Sequence, residues 1–178
     1  MRLDQVVAQW SGTGIRHVAA GRSRSVLDDT YLGVSADNRW NRAGVKAFYF
    51  APDLGVVTAE FARHAAADPY FGAPLLLERN VWSVDIRLDQ ALDLRDPLVI
   101  EAMGAPPLRT WILDPVKTRA ASEHLRAQTG VQGLLVPSVA FLDEADRPNV
   151  IVFRDRVDAA VAFGPPHRLG RITLDTRA

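Results

Sequence analysis

The segment Lys46-Ala47-Phe48-Tyr49-Phe50-Ala51-Pro52-Asp53 sets the fold. Its first six residues predict a short strand, bounded by Gly44 and Pro52. Asp53 then has the chemistry and place of a helix N-cap. A helix to about residue 67 follows, with Val57, Phe61 and Ala65 as its apolar stripe. Upstream, Leu3, Val6, Val7 and Trp10 recur at helical spacing and predict a short amphipathic helix, broken by Ser11-Gly12-Thr13-Gly14. Residues 21–44 are rich in Gly, Arg, Ser, Asp and Asn and read as a long loop, a feature that in a compact domain points to function or disorder. Downstream, Asp68-Pro69-Tyr70-Phe71-Gly72 is a turn, and residues 81–88 alternate as a half-buried strand does. Asp114-Pro115 is an N-cap with proline at N1, starting a helix to about Gln128 that stops before Gly130. Residues 133–137, 149–153, 157–163 and 171–174 read as strands. This order of elements predicts an α+β fold: a single domain over 1–178 with a mostly antiparallel sheet.

Composition narrows the function. The 178 residues are 48% hydrophobic and 24% charged, enough for a real core. Lys plus Arg equals Asp plus Glu at 21 each, which argues against a direct nucleic-acid binder. There is no cysteine, so disulfides, thiolate catalysis and cysteine-ligated zinc are excluded. Residues 1–10 carry Arg2 and Asp4 and lack a signal-peptide core, and no run reaches the ~18 apolar residues of a membrane helix. A cytoplasmic protein without a membrane partner is the expectation. The four histidines, His17, His64, His124 and His167, show no metal-ligand spacing, and no HExxH, GxxxxGK[ST] or GxSxG occurs. No metal site is therefore expected.

What remains is a set of polar residues in unusual company. Asn38-Arg39-Trp40-Asn41 packs four large side chains into a loop-like segment. Tyr49 sits on the strand between Phe48 and Phe50. Glu60 follows on the helix, beside Phe61 at the edge of the buried face, and Pro137-Ser138 ends an apolar strand. Singly, each has an ordinary structural explanation. Arg39 reads as a surface ion-pair former, Tyr49 as a core aromatic, Glu60 as a solvated helix residue and Ser138 as a strand-end turn residue.

In this order they resemble the RES-domain family, named for its Arg, Glu and Ser. Members carry a Gly-Gly-Arg-Trp-Asn segment, a tyrosine strand, a helix with glutamate and a late Val-Pro-Ser. The matching residues here are Arg39-Trp40-Asn41 with Gly44, Tyr49, Glu60 and Val136-Pro137-Ser138. Arg16, Asp93-Leu94 and Asn149 extend the likeness, which runs over about 16–163. The family's glycine pair is replaced by Asp37-Asn38; Asn tolerates left-handed backbone, whereas Asp37 sets a negative charge near Arg39.

The resemblance implies a fold like that of ADP-ribosyltransferases and an enzyme that degrades NAD: an NAD phosphorylase or NAD glycohydrolase, the toxin of a type II toxin–antitoxin system. It implies a catalytic group of Glu60, Arg39 and Ser138, with Tyr49, Arg16 and Asn41 binding NAD. Breaking the nicotinamide–ribose bond gives an oxocarbenium-like ribose, which a Glu60 carboxylate stabilises. Arg39 offers a charged fork to pyrophosphate or to an attacking phosphate. Tyr49 stacks on nicotinamide. The ring nitrogen is cationic before it leaves, so neither a strong acid nor a metal is required. NAD is then a substrate and not a cofactor, with inorganic phosphate a candidate co-substrate. The implied partner is an Xre-type helix-turn-helix antitoxin over the cleft, in a complex that admits a homodimer. The alternatives are a protein ADP-ribosyltransferase of the same fold and a catalytically inactive binding module.

Overall fold

The computed structural model describes residues 2–21, 25–35, 38–67, 76–144 and 146–175. Strands β1 (Ala8–Ala19) and β2 (Ala47–Phe50) precede helix α1 (Leu54–Ala67). The long strand β3 (Leu76–Asp93) leads into helices α2 (Pro97–Ala102) and α3 (Pro115–Gln128). Strands β4 (Gly133–Pro137) and β5 (Pro148–Phe153), helix α4 (Ala159–Ala162) and strand β6 (His167–Asp175) complete the order.

Among the described residues, six strands make one sheet in the order β1-β3-β4-β5-β2, with β6 paired to the first half of β3. Every pairing is antiparallel except β3 with β4. The α+β expectation with a mostly antiparallel sheet therefore holds. Two backbone bonds, of 2.7 and 2.8 Å, bridge Ile15 to Ala51 and so join β1 to the end of β2. The two ends of the strand order thus meet, and the sheet curls on itself. Gly14 lies at that junction: a Cβ there would come within 2.6 Å of Phe50 Cβ, so only glycine lets the strands approach.

Alternation along β2 sorts its side chains between two cores. Ala47 and Tyr49 join Trp40, Leu134, Ile151 and Phe153, beside α3. Phe48 and Phe50 join Val84, Ile86, Leu88 and Phe163. The helix stripe is buried as expected, with Val57, Phe61 and Ala65 each at most 5% exposed. Asp53 accepts the Val56 amide at 3.0 Å and Asp114 the Val116 amide at 2.9 Å, so both expected caps are present.

Two sequence expectations fail for physical reasons, and one helix was not foreseen. The predicted N-terminal helix is only a 3-10 turn, Leu3–Gln5, and Trp10 to Gly14 lie inside β1. A ten-residue segment is too short to hold a helix alone. Pairing to β3 (Trp10 opposite Leu88, Gly14 opposite Val84) claims its backbone. Residues 157–163 are not a strand: Asp158 caps the alanine-rich Ala159–Ala162 as a helical turn, and only Phe163 bridges, to Ile86. Helix α2 was not anticipated, although Asp96-Pro97 repeats the Asp114-Pro115 signal and Asp96 accepts the Leu98 amide at 2.9 Å. The predicted turn at 68–72 lies outside the described residues, as does Asp37.

Candidate active site

Helix α1 lays Glu60 across the ends of β4 and β5. The register of those strands sets Val136 opposite Asn149 and Pro137 opposite Pro148, so Ser138 and Asn149 emerge side by side. Ser138 is wholly buried and donates from Oγ to Glu60 Oε1 at 2.8 Å. Asn149 Nδ2 donates to the same oxygen at 3.4 Å. Arg63, one turn along α1, grips Oε2 through Nε at 3.1 Å and Nη2 at 2.8 Å. Burial alone would raise the Glu60 carboxyl. The hydrogen bonds from Arg63 and Ser138, and the Arg63 and His64 charges, outweigh it and hold its pKa below the usual range. Glu60 is therefore an ionised, half-buried carboxylate.

Arg39 stands close enough to Glu60, Arg63 and Arg119 to feel their charges. Burial, then the neighbouring Arg63, depresses its pKa. Its place is set from several sides. Trp40, 2% exposed, anchors the loop in the core, edge-on to Trp111 with ring centroids 6.3 Å apart. Helix α3 holds the backbone: Thr118 Oγ1 donates to the Arg39 carbonyl at 2.7 Å, and Arg119 Nη1 to the Asn38 carbonyl at 3.0 Å. Arg39 Nη1 itself donates to the Ile112 carbonyl at 2.7 Å. Asn38 does not use the left-handed backbone that asparagine tolerates; among the described residues only glycines have positive φ, Gly44 included at 86°.

Tyr49 and Asn41 bind each other. The Tyr49 hydroxyl donates to Asn41 Oδ1 at 2.6 Å and accepts the Trp40 amide at 3.0 Å. Asn41 Nδ2 donates to the Val45 carbonyl at 2.7 Å, and the side chain is 2% exposed. Burial pushes the Tyr49 hydroxyl pKa up, so it stays protonated. Arg16 is not in contact with this group. Its Nη1 donates to the Val26 carbonyl and its guanidinium lies 5.0 Å from the Phe48 ring centre. It lines a hollow of about 320 Å³ with His17, Asp28, Tyr31 and Arg79. That hollow neighbours the Glu60 group through Phe61, whose ring lies 4.9 Å from His17 and 5.0 Å from the Arg79 guanidinium. Burial and nearby cations lower His17 to about 4, so its imidazole is neutral at pH 7.

The RES domain family matches residues 16–175. The chain belongs to the RES domain family. No curated protein matches it by sequence. Among solved structures, a chain of the M. tuberculosis MbcT–MbcA toxin–antitoxin complex matches with a TM-score of 0.64 at 23% identity, over 95% of this chain and 90% of that one. At that identity the likeness is one of fold.

In this RES domain the structure brings Glu60, Ser138 and Asn149 into contact, sets Arg39 and the Tyr49–Asn41 pair beside them, and leaves Arg16 in the adjoining hollow. Sequence reasoning missed Arg63, Thr118 and Arg119. Arg63 could have been found, because residues i and i+3 share a helix face and oppositely charged pairs meet there. Thr118 and Arg119 reach the site from 79 and 81 residues away and carry no local signal. Among the described residues, no group of three or more His, Asp or Glu is placed to hold a metal ion, and no helix is long and apolar enough to cross a membrane.

Proposed function

We propose that this RES protein is the NAD-degrading toxin of a toxin–antitoxin pair. It cleaves the nicotinamide–ribose bond and passes the ADP-ribosyl group to phosphate or water. The observation that carries this reading is the Glu60 carboxylate: ionised, only 18% exposed, and held by Ser138 and Arg63 on the same rim as Arg39 and Tyr49.

The C1′–N1 bond breaks with its electron pair going to the pyridinium nitrogen, which leaves as neutral nicotinamide. Positive charge spreads over C1′ and the ribose ring oxygen. A fixed carboxylate stabilises that cation without having to reorganise, which is where enzymes gain most. The acceptor oxygen then bonds to C1′, and water, if it is the acceptor, releases a proton to solvent. Arg39 takes a phosphate oxyanion through its planar fork. The Tyr49 ring takes the nicotinamide face, its hydroxyl being spent on Trp40 and Asn41. Both ends of the Asn41 amide are bound within its own loop and to Tyr49, so we assign it to positioning Tyr49. Arg16, in the hollow beyond Phe61, takes the distant part of the dinucleotide.

Family membership and the toxin–antitoxin neighbour support an antitoxin partner, which we take to be an Xre-type protein covering the cleft and carrying the DNA contacts. A cellular NAD pool is the substrate, so a cytoplasmic location follows from this reading. The test is to incubate the chain with NAD, with and without phosphate, and to measure free nicotinamide and the mass of the ADP-ribosyl product. Nicotinamide release with a phosphorylated or free ADP-ribose product is expected. Expression of the chain alone should lower NAD before growth stops. No nicotinamide release overturns the reading, and a protein-bound ADP-ribosyl product replaces it with protein modification.

A further inference from the structure

We infer that Arg63 is a latch on Glu60, released when a phosphate oxyanion of the substrate or acceptor draws its guanidinium away. The inference deepens the reading above and rests on it.

A carboxylate offers about four hydrogen-bonding directions. In Glu60 all four are taken, by Ser138 and Asn149 on Oε1 and by two guanidinium N–H groups of Arg63 on Oε2. None is left for a ribose hydroxyl. To accept a hydrogen bond from a ribose hydroxyl as well, Glu60 must lose one donor first. Ser138 cannot leave: it is wholly buried, and its Oγ also accepts the Ala140 amide at 3.2 Å. Asn149 is held in the β4–β5 ladder opposite Val136. Arg63 is the movable one. Its side chain is 39% exposed, it hangs on a flexible stem, and its partner is three residues away on the same helix.

A guanidinium that gives up a half-buried carboxylate needs another anion. The charged neighbours argue for a phosphate. Arg39 and His64 stand near Arg63, with Arg119 beyond Arg39, and among the described residues Glu60 is the one carboxylate whose charge Arg39 and His64 feel. A doubly charged oxyanion entering this group meets both Arg39 and Arg63. The diphosphate of a dinucleotide and an inorganic phosphate acceptor share this chemistry. Occupancy by either would unmask Glu60 only when there is something to act on, and would leave the carboxylate covered in the empty site.

The groups that face Glu60 are Arg63 and His64 from α1, Arg39 from the loop before β2, and the uncharged Ser138 and Asn149. Carbon-13 NMR of the Glu60 carboxyl reads them directly. The whole chain, as wild type, Arg63→Ala and Arg63→Gln, would be titrated in buffer, with saturating ADP-ribose, and with saturating inorganic phosphate. In wild type, an anion that draws Arg63 away raises the Glu60 midpoint. Both variants begin from a raised midpoint, and the same anion moves it by less. A shift with ADP-ribose assigns the release to the diphosphate; one with inorganic phosphate assigns it to the acceptor. Equal shifts in wild type and variants, or none in wild type, mean that Arg63 stays on Glu60 and overturn the latch. A chain that releases no nicotinamide yet shows the differential shift would sink the NAD-cleavage reading and keep the latch. A chain that cleaves NAD without the differential shift would do the reverse.

Discussion

Helix α1 carries two carboxylate–guanidinium forks with the same chemistry and opposite wiring. At its start, Asp53 accepts from Arg147 Nε at 2.8 Å and Nη2 at 2.7 Å, a partner 94 residues away. Two turns on, Glu60 accepts from Arg63, a partner three residues away. Opening the first fork would remove one tie between the helix and the chain around Arg147, which also bonds Glu144 at 2.7 Å and lies 4.4 Å from the Phe141 ring centre. Opening the second moves one side chain and leaves every element where it was. Asp53 is also the more exposed carboxylate, 42% against 18% for Glu60. A long-range fork fixes geometry, and a short-range fork beside buried polar groups can change state without unfolding anything. The first fastens the start of the helix to distant chain and adds stability, and the second governs what Glu60 can touch.

Substitutions should separate the two. The largest effect belongs to Glu60→Ala, which should cut nicotinamide release by roughly 10²–10³-fold while circular dichroism stays unchanged. Arg39→Ala should act in the same direction. Ser138→Ala removes the closest donor to Oε1. A hydrogen bond to a charged group contributes ~1.5–3 kcal/mol, so kcat should fall by about tenfold or more. The acidic limb of the pH–rate profile should also move up, because a donor that favours the ionised form is gone.

Asp53→Ala should lower Tm by about 2–4 °C through the lost cap and fork. Nicotinamide release at 25 °C should change little. The pH signs follow from both carboxyls being depressed. For Asp53 the Arg147 hydrogen bond is the main cause. Each then contributes stability above its unfolded pKa and loses it as pH falls through the folded value. Asp53→Asn should therefore flatten the acid side of the stability curve, measured by urea unfolding from pH 7 down to pH 3. Activity, which needs ionised Glu60, should stay level around pH 7; the acid limb of kcat/KM, set by the free enzyme, should lie below the ordinary glutamate range, and that of kcat, with Arg63 drawn away, should lie higher. His17, at about 4, is neutral around pH 7, and burial lowers His64.

Much of this was legible in the sequence, and the failures have causes. The strand around Tyr49, the caps at Asp53 and Asp114 and the apolar stripe of α1 rest on local chemistry, and all stand in the structure. The first ten residues misled because helical spacing of four apolar residues cannot outweigh strand pairing along the whole of β1. The order Arg39, Tyr49, Glu60, Ser138 carried the family. It could not show that α3 positions Arg39 through Thr118 and Arg119, because nothing local to those residues reports contacts about 80 positions away. Nor could it show that Asn41 and Tyr49 are spent on each other. Arg63 was within reach of a simple helical-wheel argument, and its partner was already in view.

The most direct test of the account sets the two forks side by side. Wild type, Glu60→Gln and Asp53→Asn are assayed together for nicotinamide release from NAD in phosphate buffer, with Tm measured on the same samples. The account predicts that Glu60→Gln is folded and inactive, and that Asp53→Asn is active but melts earlier. A folded Glu60→Gln that releases nicotinamide at the wild-type rate would contradict it.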